Sequence, residues 1–372
     1  MNRDLNDSIQ KPNNLNNNNI QENLQKIKLK YQEKSEILKL VSNTFPFNQQ
    51  LEILDYISSG SCGIVYKGKI KHTRNKKVAL KFIFSNLLEN KRIKRDNIKN
   101  KIEKEIRFLA KLKHKNITSL YNVFHIPNES YCIVLELAEY NDLDFFQKKL
   151  LQKKTLSETF LVYISKQILD ALNYCHQTKI THTDIKLQNI LIDENLNVKL
   201  TDFSVSFSYF GLDIYKKINV PFAGTSLFMS PEVLGHKEIF PYNFNKIDIF
   251  SFGTLLYYLA YSNYPYDLNI KDKKQFNVIL NKIQNNELIF PNKGYLFSEC
   301  FKDFLKHLLD KDINKRYSIN DALEHKWIKG SIYVFEEKEK VYNVEKFLIN
   351  LITDNVKQFN NYLYGLKLEL FR

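Results

Sequence analysis

Two neighbouring stretches constrain this chain most: His182-Thr183-Asp184-Ile185-Lys186-Leu187-Gln188-Asn189, then Thr201-Asp202-Phe203-Ser204. Counting from Asp184, a lysine stands two residues on, an asparagine five on and a second aspartate 18 on. Apolar Ile190-Leu191-Ile192 and Val198-Lys199-Leu200 lie between the halves. Asp184 offers a general base, Lys186 a phosphate-neutralising cation, and Asn189 and Asp202 two metal-binding oxygens. These are the parts that pass a phosphoryl group from a nucleotide to a hydroxyl. A lone Asp-x-Lys is ordinary solvated surface. The whole set at this spacing is a specific signal.

The chain has 372 residues, enough for two lobes. Its four cysteines, Cys62, Cys132, Cys175 and Cys300, stand far apart without a Cys-x-x-Cys pair. That argues against a zinc site or a disulfide framework and suits a reducing compartment, cytoplasmic or nuclear. The N-terminus is polar rather than signal-like, and no run of 18 apolar residues predicts a membrane span. Residues 1–50 and 329–372 contribute +2 and +1 of the formal net charge of +14, so +11 belongs to the centre. Attraction to acidic partners, nucleic acid or anionic lipid is one reading. A solvated basic surface is the preferred one, and no nucleic-acid partner is expected, because no aromatic or Arg-rich stripe accompanies the charge.

Residues 1–50 are expected to be a disordered extension, since Asn13-Asn14-Leu15-Asn16-Asn17-Asn18-Asn19 offers little apolar surface to offset ordering entropy. From Leu51 to Leu137 the pattern is strand-rich: Leu51 to Ser58, Ile64 to Ile70, Lys77 to Phe84 and two later strands ending at Tyr131-Cys132-Ile133-Val134-Leu135. One helix, Asn97 to Leu112, interrupts it with Ile102, Ile106, Leu109 and Leu112 on one face. Helical periods follow at Phe160 to His176, Asp248 to Tyr261, Cys300 to Leu309 and Ile319 to His325. Residues 343–370 repeat apolar positions at three- and four-residue spacing, predicting an amphipathic helix in a 329–372 extension that packs on its own domain, binds a partner or autoinhibits. Glycine is scarce, ten in all against a usual ~7% of residues, yet Gly60, Gly63, Gly68, Gly224 and Gly253 fall inside motifs.

The catalytic and metal-binding stretches resemble those of eukaryotic protein kinases, and further motifs extend the resemblance over residues 51 to 328. Ser58-Ser59-Gly60-Ser61-Cys62-Gly63-Ile64-Val65 looks like the glycine-rich phosphate loop, with Ser58 for its first glycine. Val78-Ala79-Leu80-Lys81 matches the strand lysine, and Glu105 its helical partner, with Glu103 the competing candidate. Leu135 falls at the gatekeeper position, Glu136-Leu137-Ala138 at the adenine-binding hinge and Asp142 at the ribose acid; Val65, Ala79 and Leu191 would sandwich the base. A second apolar column is complete in Leu109, Leu120, His182 and Phe203, anchored by Asp248.

The resemblance implies an α+β bilobal fold: a β-rich lobe with one helix at 51–137 and an α-helical lobe at 138–328. It also implies an ATP- and magnesium-dependent serine/threonine kinase acting on protein substrates, expected to be monomeric. Asp184 would deprotonate the acceptor hydroxyl, Lys186 neutralise the γ-phosphate, and Asn189 and Asp202 hold magnesium. Thr225, in Gly224-Thr225, would bridge Asp184 and Lys186, and Glu232 of Ser230-Pro231-Glu232 would pair with Arg316. A nucleotide-binding pseudokinase scaffold is the rival reading. Departures from the family pattern are Ser58, Leu187 for proline, Ser204 for the glycine after Asp202-Phe203, and Thr183 for arginine. That arginine normally grips a phosphorylated residue, and Lys216 to Gly224 contains no Ser, Thr or Tyr. The Asp202 to Ser206 and Gly224 to Met229 stretches resemble calcium/calmodulin-dependent-kinase-like groups and the upstream kinases that activate them.

Overall fold

The computed structural model describes residues 47–330, except 61–62, 74–75, 84–94, 127–129, 151–155, 157, 269–274 and 292–296. Ser61, Cys62, the Asn-rich segment and the amphipathic 343–370 stretch therefore lie outside the described residues. A short helix, α1 (Phe47–Gln50), precedes the first strand, inside the 1–50 stretch expected to be disordered. The Gln50 carbonyl accepts the Lys71 N–H at 2.7 Å, so this turn is tied to the sheet rather than solvated.

Strands β1 (Leu51–Gly60), β2 (Gly63–Ile70), β3 (Lys77–Ile83), β4 (Leu120–Ile126) and β5 (Ser130–Glu136) form one sheet in the order β1-β2-β3-β5-β4. β2 alternates buried and half-buried positions, as a sheet with one covered face requires. Helix α2 (Arg95–Lys111) lies between β3 and β4 in sequence.

The described residues fall into two compact units. One takes those up to 83 with 123–132, the other those from 95 to 122 and from 133 onward. Helix α2 thus groups with the helical unit, not with the β-rich lobe expected to run to residue 137. Hydrogen bonds explain why. Asn116 Nδ2 donates to Gln167 Oε1 at 2.7 Å and to the Val198 carbonyl at 2.9 Å, and Thr118 N–H donates to the Leu200 carbonyl at 3.0 Å.

The helical unit contains α3 (Leu143–Phe145), α4 (Glu158–Gln177), α5 (Pro231–Leu234), α6 (Asn245–Tyr261), α7 (Phe276–Asn285), α8 (Glu299–Leu308) and α9 (Ile319–Glu324). Helix α6 is its core: from Ile247 to Ala260 every residue except Tyr258 is buried, as expected of a helix apolar all round. Ser298 and Ser318 cap α8 and α9 by accepting the N–H of Phe301 and Asp321, supplying partners to otherwise orphaned donors. Short antiparallel pairs shape the connections: β6 (Ile180–Thr181) with β9 (Phe207–Ser208), β7 (Ile190–Ile192) with β8 (Val198–Leu200), and β10 (Ile218–Asn219) with β11 (Glu238–Ile239). Among the described residues, no helix is long and apolar enough to cross a membrane.

Candidate active site

The β7–β8 hairpin closes the distance between the two signature stretches. Ile190 pairs with Leu200, and Thr201 N–H donates to the Asn189 carbonyl at 3.0 Å. Asn189 and Asp202 thereby flank the same end of one hairpin. Asp248, fully buried on α6, fixes the loop before it. Its Oδ2 accepts His182 N–H and its Oδ1 accepts Thr183 N–H, both at 2.8 Å, while His176 Nε2 lies 2.9 Å from Oδ2. Those donors replace the water that a buried carboxylate loses. They also hold Thr183 at φ 66°, a costly conformation for a β-branched residue that persists where the surroundings dictate it. His182 stands edge-on to Phe203, ring centroids 4.8 Å apart, and its Nε2 lies 3.0 Å from the Thr201 carbonyl oxygen.

Around Asp184 the side chains form one closed network. Lys186 Nζ donates to Asp184 Oδ2 at 2.6 Å and to Thr225 Oγ1 at 3.1 Å, and Thr225 Oγ1 donates to Asp184 Oδ1 at 2.8 Å. Asn189 Nδ2 donates to the Asp184 carbonyl at 2.8 Å and to Oδ2 at 3.0 Å. The bridge by Thr225 depends on Gly224, at φ +107°, where a Cβ would sit 2.3 Å from the Thr183 carbonyl oxygen. Behind this loop, Glu232 and Arg316 form a buried ion pair 84 residues apart in sequence.

The Ser204 substitution is not strained. Left-handed φ falls on Asp202, at 65°, and Ser204 is absent from the positive-φ residues; its N–H points to Asp202 Oδ1 at 3.4 Å. Thr183, in the arginine position, donates its hydroxyl to the Val205 carbonyl at 3.0 Å.

Leu135, Leu137 and Ala138 are buried at the end of β5 and just beyond it, with Leu191 half-buried on β7. Glu136 is gripped by Lys199 Nζ at 2.5 Å and by Ser119 N–H at 3.1 Å, a brace that carries no signal in the sequence. Asp142 spends one carboxylate oxygen capping α3, accepting Phe145 N–H at 2.8 Å, and burial raises its pKa from the ordinary value. Glu105 is 2% exposed on the inward face of α2 with Ile102 and Leu109, whereas Glu103 is half-exposed; this is the helix phase read from the sequence.

In the β-rich unit, Ser58 pairs with Val65, Ser59 with Ile64 and Gly60 with Gly63, so the serine- and glycine-rich stretch is the tip of the β1–β2 hairpin. A Cβ on Gly63, at φ +151°, would meet the Phe82 carbonyl oxygen at 2.2 Å. Val65 stands opposite Lys81 across β2 and β3; Ala79 is buried and Val65 half-buried.

The donors present fit a nucleotide and a hard divalent cation. Ala138 N–H has no hydrogen-bond partner among the described residues, which suits the acceptor edge of a purine. Asn189 commits its amide nitrogen to Asp184, so its oxygen is left for a ligand, and the Asp202 carboxylate is a second oxygen donor of the kind magnesium takes.

Comparison with known proteins agrees with this geometry. The family described as "protein kinase domain" matches residues 51–328. Testis-specific serine/threonine-protein kinase 1 of Mus musculus is 30% identical over 278 residues, 73% of this chain and 72% of its own. Death-associated protein kinase 2 of Homo sapiens is 31% identical over 316 residues, 82% and 80% of the two chains. NUAK family SNF1-like kinase 2 of Homo sapiens is 29% identical over 301 residues, 79% of this chain and 43% of its own. With its catalytic loop clamped by Asp248 and its signature matched from end to end, this chain belongs to the protein kinase family.

Proposed function

We infer that the chain transfers the γ-phosphate of ATP to serine and threonine hydroxyls of protein substrates, with Asp184 as base. The observation that carries this reading is Thr225, whose hydroxyl is shared between Asp184 and Lys186. Asp184 Oδ1 and Oδ2 are both oriented by donors, so the carboxylate is preorganised to accept a proton from an incoming hydroxyl without reorganising. Lys186, held between Asp184 and Thr225, keeps its ammonium where charge on a transferring phosphoryl group would develop. Asn189 and Asp202 would hold magnesium, which when bound neutralises phosphate charge. Asn189 also ties Asp184 to the metal-binding end of the β7–β8 hairpin, so base and metal donors move as one body.

For the nucleotide, Ala138 N–H would read the adenine edge beside the apolar Leu135 and Leu191 of the same unit, and the family resemblance assigns Val65 and Ala79 to the other side of the base. Asp142 would receive the ribose with its uncapped oxygen. The family resemblance assigns the phosphates to Lys81, with Glu105 as its counter-ion, and to the Ser58–Gly63 stretch. Buried free thiols at Cys132 and Cys175, raised in pKa by burial, fit a reducing compartment, cytoplasmic or nuclear. Resemblance to death-associated protein kinase 2 supports placing the chain among the calcium/calmodulin-dependent-kinase-like groups.

The test is phosphorylation of an arrayed peptide library with γ-labelled ATP and magnesium, followed by phosphoamino-acid analysis. Label on serine and threonine that disappears in Asp184→Asn is expected. Label on tyrosine, or label unchanged in that variant, would contradict the assignment.

A further inference from the structure

The basic charge of this chain is not evenly spread. From Lys99 to Lys115 there are seven Lys/Arg against two carboxylates, Glu103 and Glu105. Glu105 is 2% exposed, so it removes nothing from the outward face. Because Ile102, Glu105 and Leu109 point inward, helical geometry puts Lys104, Arg107 and Lys111 on the opposite side, three and four residues apart. Arg107 and Lys111 are exposed and Lys104 half-exposed. Glu103, half-exposed and four residues before Arg107, is the carboxylate placed to pair along the helix. Here, among the described residues, none of these three cations has a carboxylate partner. Lys104 registers the crowding: its pKa is held below the ordinary value by burial and then by the charges of Arg107 and Lys101.

The stripe ends at an aromatic ring. Lys111 Nζ lies 5.9 Å from the centroid of Phe210, which is 77% exposed just after β9. Ile214 and Tyr215, four and five residues on, are 51% and 85% exposed. Three large apolar side chains within six residues of sequence are thus left in solvent, and exposed apolar patches mark interaction sites. All of these residues lie in the helical unit, and none is among those assigned to phosphoryl transfer.

We propose that the outward face of α2, from Lys104 to Lys111, together with Phe210, is a docking surface for an acidic segment of a partner protein that carries an apolar residue. Aspartates and glutamates of that segment lie along Lys104, Arg107 and Lys111, and the apolar residue covers Phe210. Charge complementarity names the acidic character, and the exposed ring names the anchor. The three cations lie along one line about 10 Å long, the reach of about three extended peptide residues. A nucleic-acid track asks for a longer run of cations, and a bilayer for cations spread over a plane. Since Phe210 belongs to the segment between Asp202 and Thr225, occupancy of this surface bears on the piece of chain that leads to the substrate platform.

The experiment uses the full-length chain and a fluorescein-labelled peptide, Glu-Asp-Glu-Phe-Glu-Asp, against its amidated Gln/Asn counterpart, phosphatidylserine vesicles and oligothymidylate. The acidic peptide should bind in preference to the other three. The triple variant Lys104→Glu, Arg107→Glu, Lys111→Glu should weaken it by about tenfold or more, and Phe210→Ala alone by about fivefold. A control with the same charge change elsewhere (Lys306→Glu, Lys315→Glu, Lys326→Glu) should weaken it less than about twofold. Thermal unfolding and the rate on a short generic peptide check that each variant is folded. Equal loss in the control, or no loss in Phe210→Ala, would reduce the surface to diffuse charge. Preference for vesicles or oligothymidylate with the same variant pattern would overturn the partner class.

Discussion

Arg316 meets Glu232 end-on, with Nη1 2.7 Å from Oε1 and Nη2 3.0 Å from Oε2, and both side chains are almost wholly buried. The guanidinium is used further: Nε donates to the Asp310 carbonyl, Nη1 to the Lys246 carbonyl, and its carbon stands 4.9 Å from the Phe250 ring centroid. The pair fastens α5, which follows the Thr225 loop, to the segment before α9.

Removing either partner leaves the other charge buried and uncompensated, at a cost of about 3–5 kcal/mol. Arg316→Met and Glu232→Gln should each lower the unfolding free energy obtained from urea denaturation by a margin of that size. The double variant should recover part of the loss, because no unpaired charge remains. Strict additivity of the two single effects would show that the pair is not coupled.

Asp184→Asn keeps the shape of the network but removes the base, so turnover should fall by at least ~10². Thr225→Ser should retain most activity and Thr225→Val should not, since the hydroxyl links Asp184 Oδ1 and Lys186 Nζ. Nucleotide-dependent thermal stabilisation, preserved in all three, separates loss of chemistry from loss of binding. A Thr225→Val enzyme with unaltered turnover would remove the bridge from the mechanism.

Ser204 stands where the family has glycine, yet the left-handed conformation falls two residues earlier, on Asp202. Ser204→Gly therefore relieves no strain. It should change stability by under about 1 kcal/mol in the unfavourable direction, through added backbone freedom in the unfolded chain. Initial rates within about twofold of the parent are expected, whereas Gly224→Ala, which drives a Cβ against the Thr183 carbonyl, should lose activity by on the order of 10². A marked gain in rate for Ser204→Gly would show that the serine restrains the segment.

Asp184, Lys186, Asn189 and Asp202 were legible because chemistry and spacing coincide within 19 residues. Thr225 and Arg316 are 41 and 132 residues from Asp184, and only the family resemblance linked them to it. Helix α7 was missed although Phe276, Ile279 and Ile283 follow helical spacing, since Asn- and Lys-rich surroundings hid a short apolar face. The pairs β6–β9 and β10–β11 could not be read at all. Two-residue strands have no periodicity, and tertiary contacts set them. The left-handed Thr183 runs against its own preference, and only the Asp248 carboxylate, supplied 65 residues later, explains it.

The β10–β11 pair carries the last prediction, that activity does not require phosphorylation of the segment between Asp202 and Thr225. Where phosphorylation controls such a segment, the phosphate orders it by pairing with an arginine cluster. Here Thr183 replaces the arginine, and the order is already supplied by other contacts. Ile218 pairs with Ile239, Val220 N–H reaches the Lys237 carbonyl at 3.4 Å, and Val220 is buried. Phe222 stacks on His236 at 4.5 Å between centroids and stands edge-on to Phe276 at 5.0 Å. Candidate acceptors nearby are largely spent. The Ser206 hydroxyl is fully buried and donates to the His182 carbonyl, and Tyr209 is buried with its pKa pushed up to about 12 by that burial. Ser208 and Tyr215 remain reachable, but they lie ten or more residues before Thr225 and cannot brace it. Protein made in bacteria and treated with phosphatase should therefore show an initial rate within about twofold of the untreated enzyme. Phe222→Ala should instead lower that rate roughly tenfold, because slight misplacement of a positioning loop is enough to do so. An order-of-magnitude loss on dephosphorylation, restored when Ser208 or Tyr215 is rephosphorylated, would show that the packing alone does not order the segment.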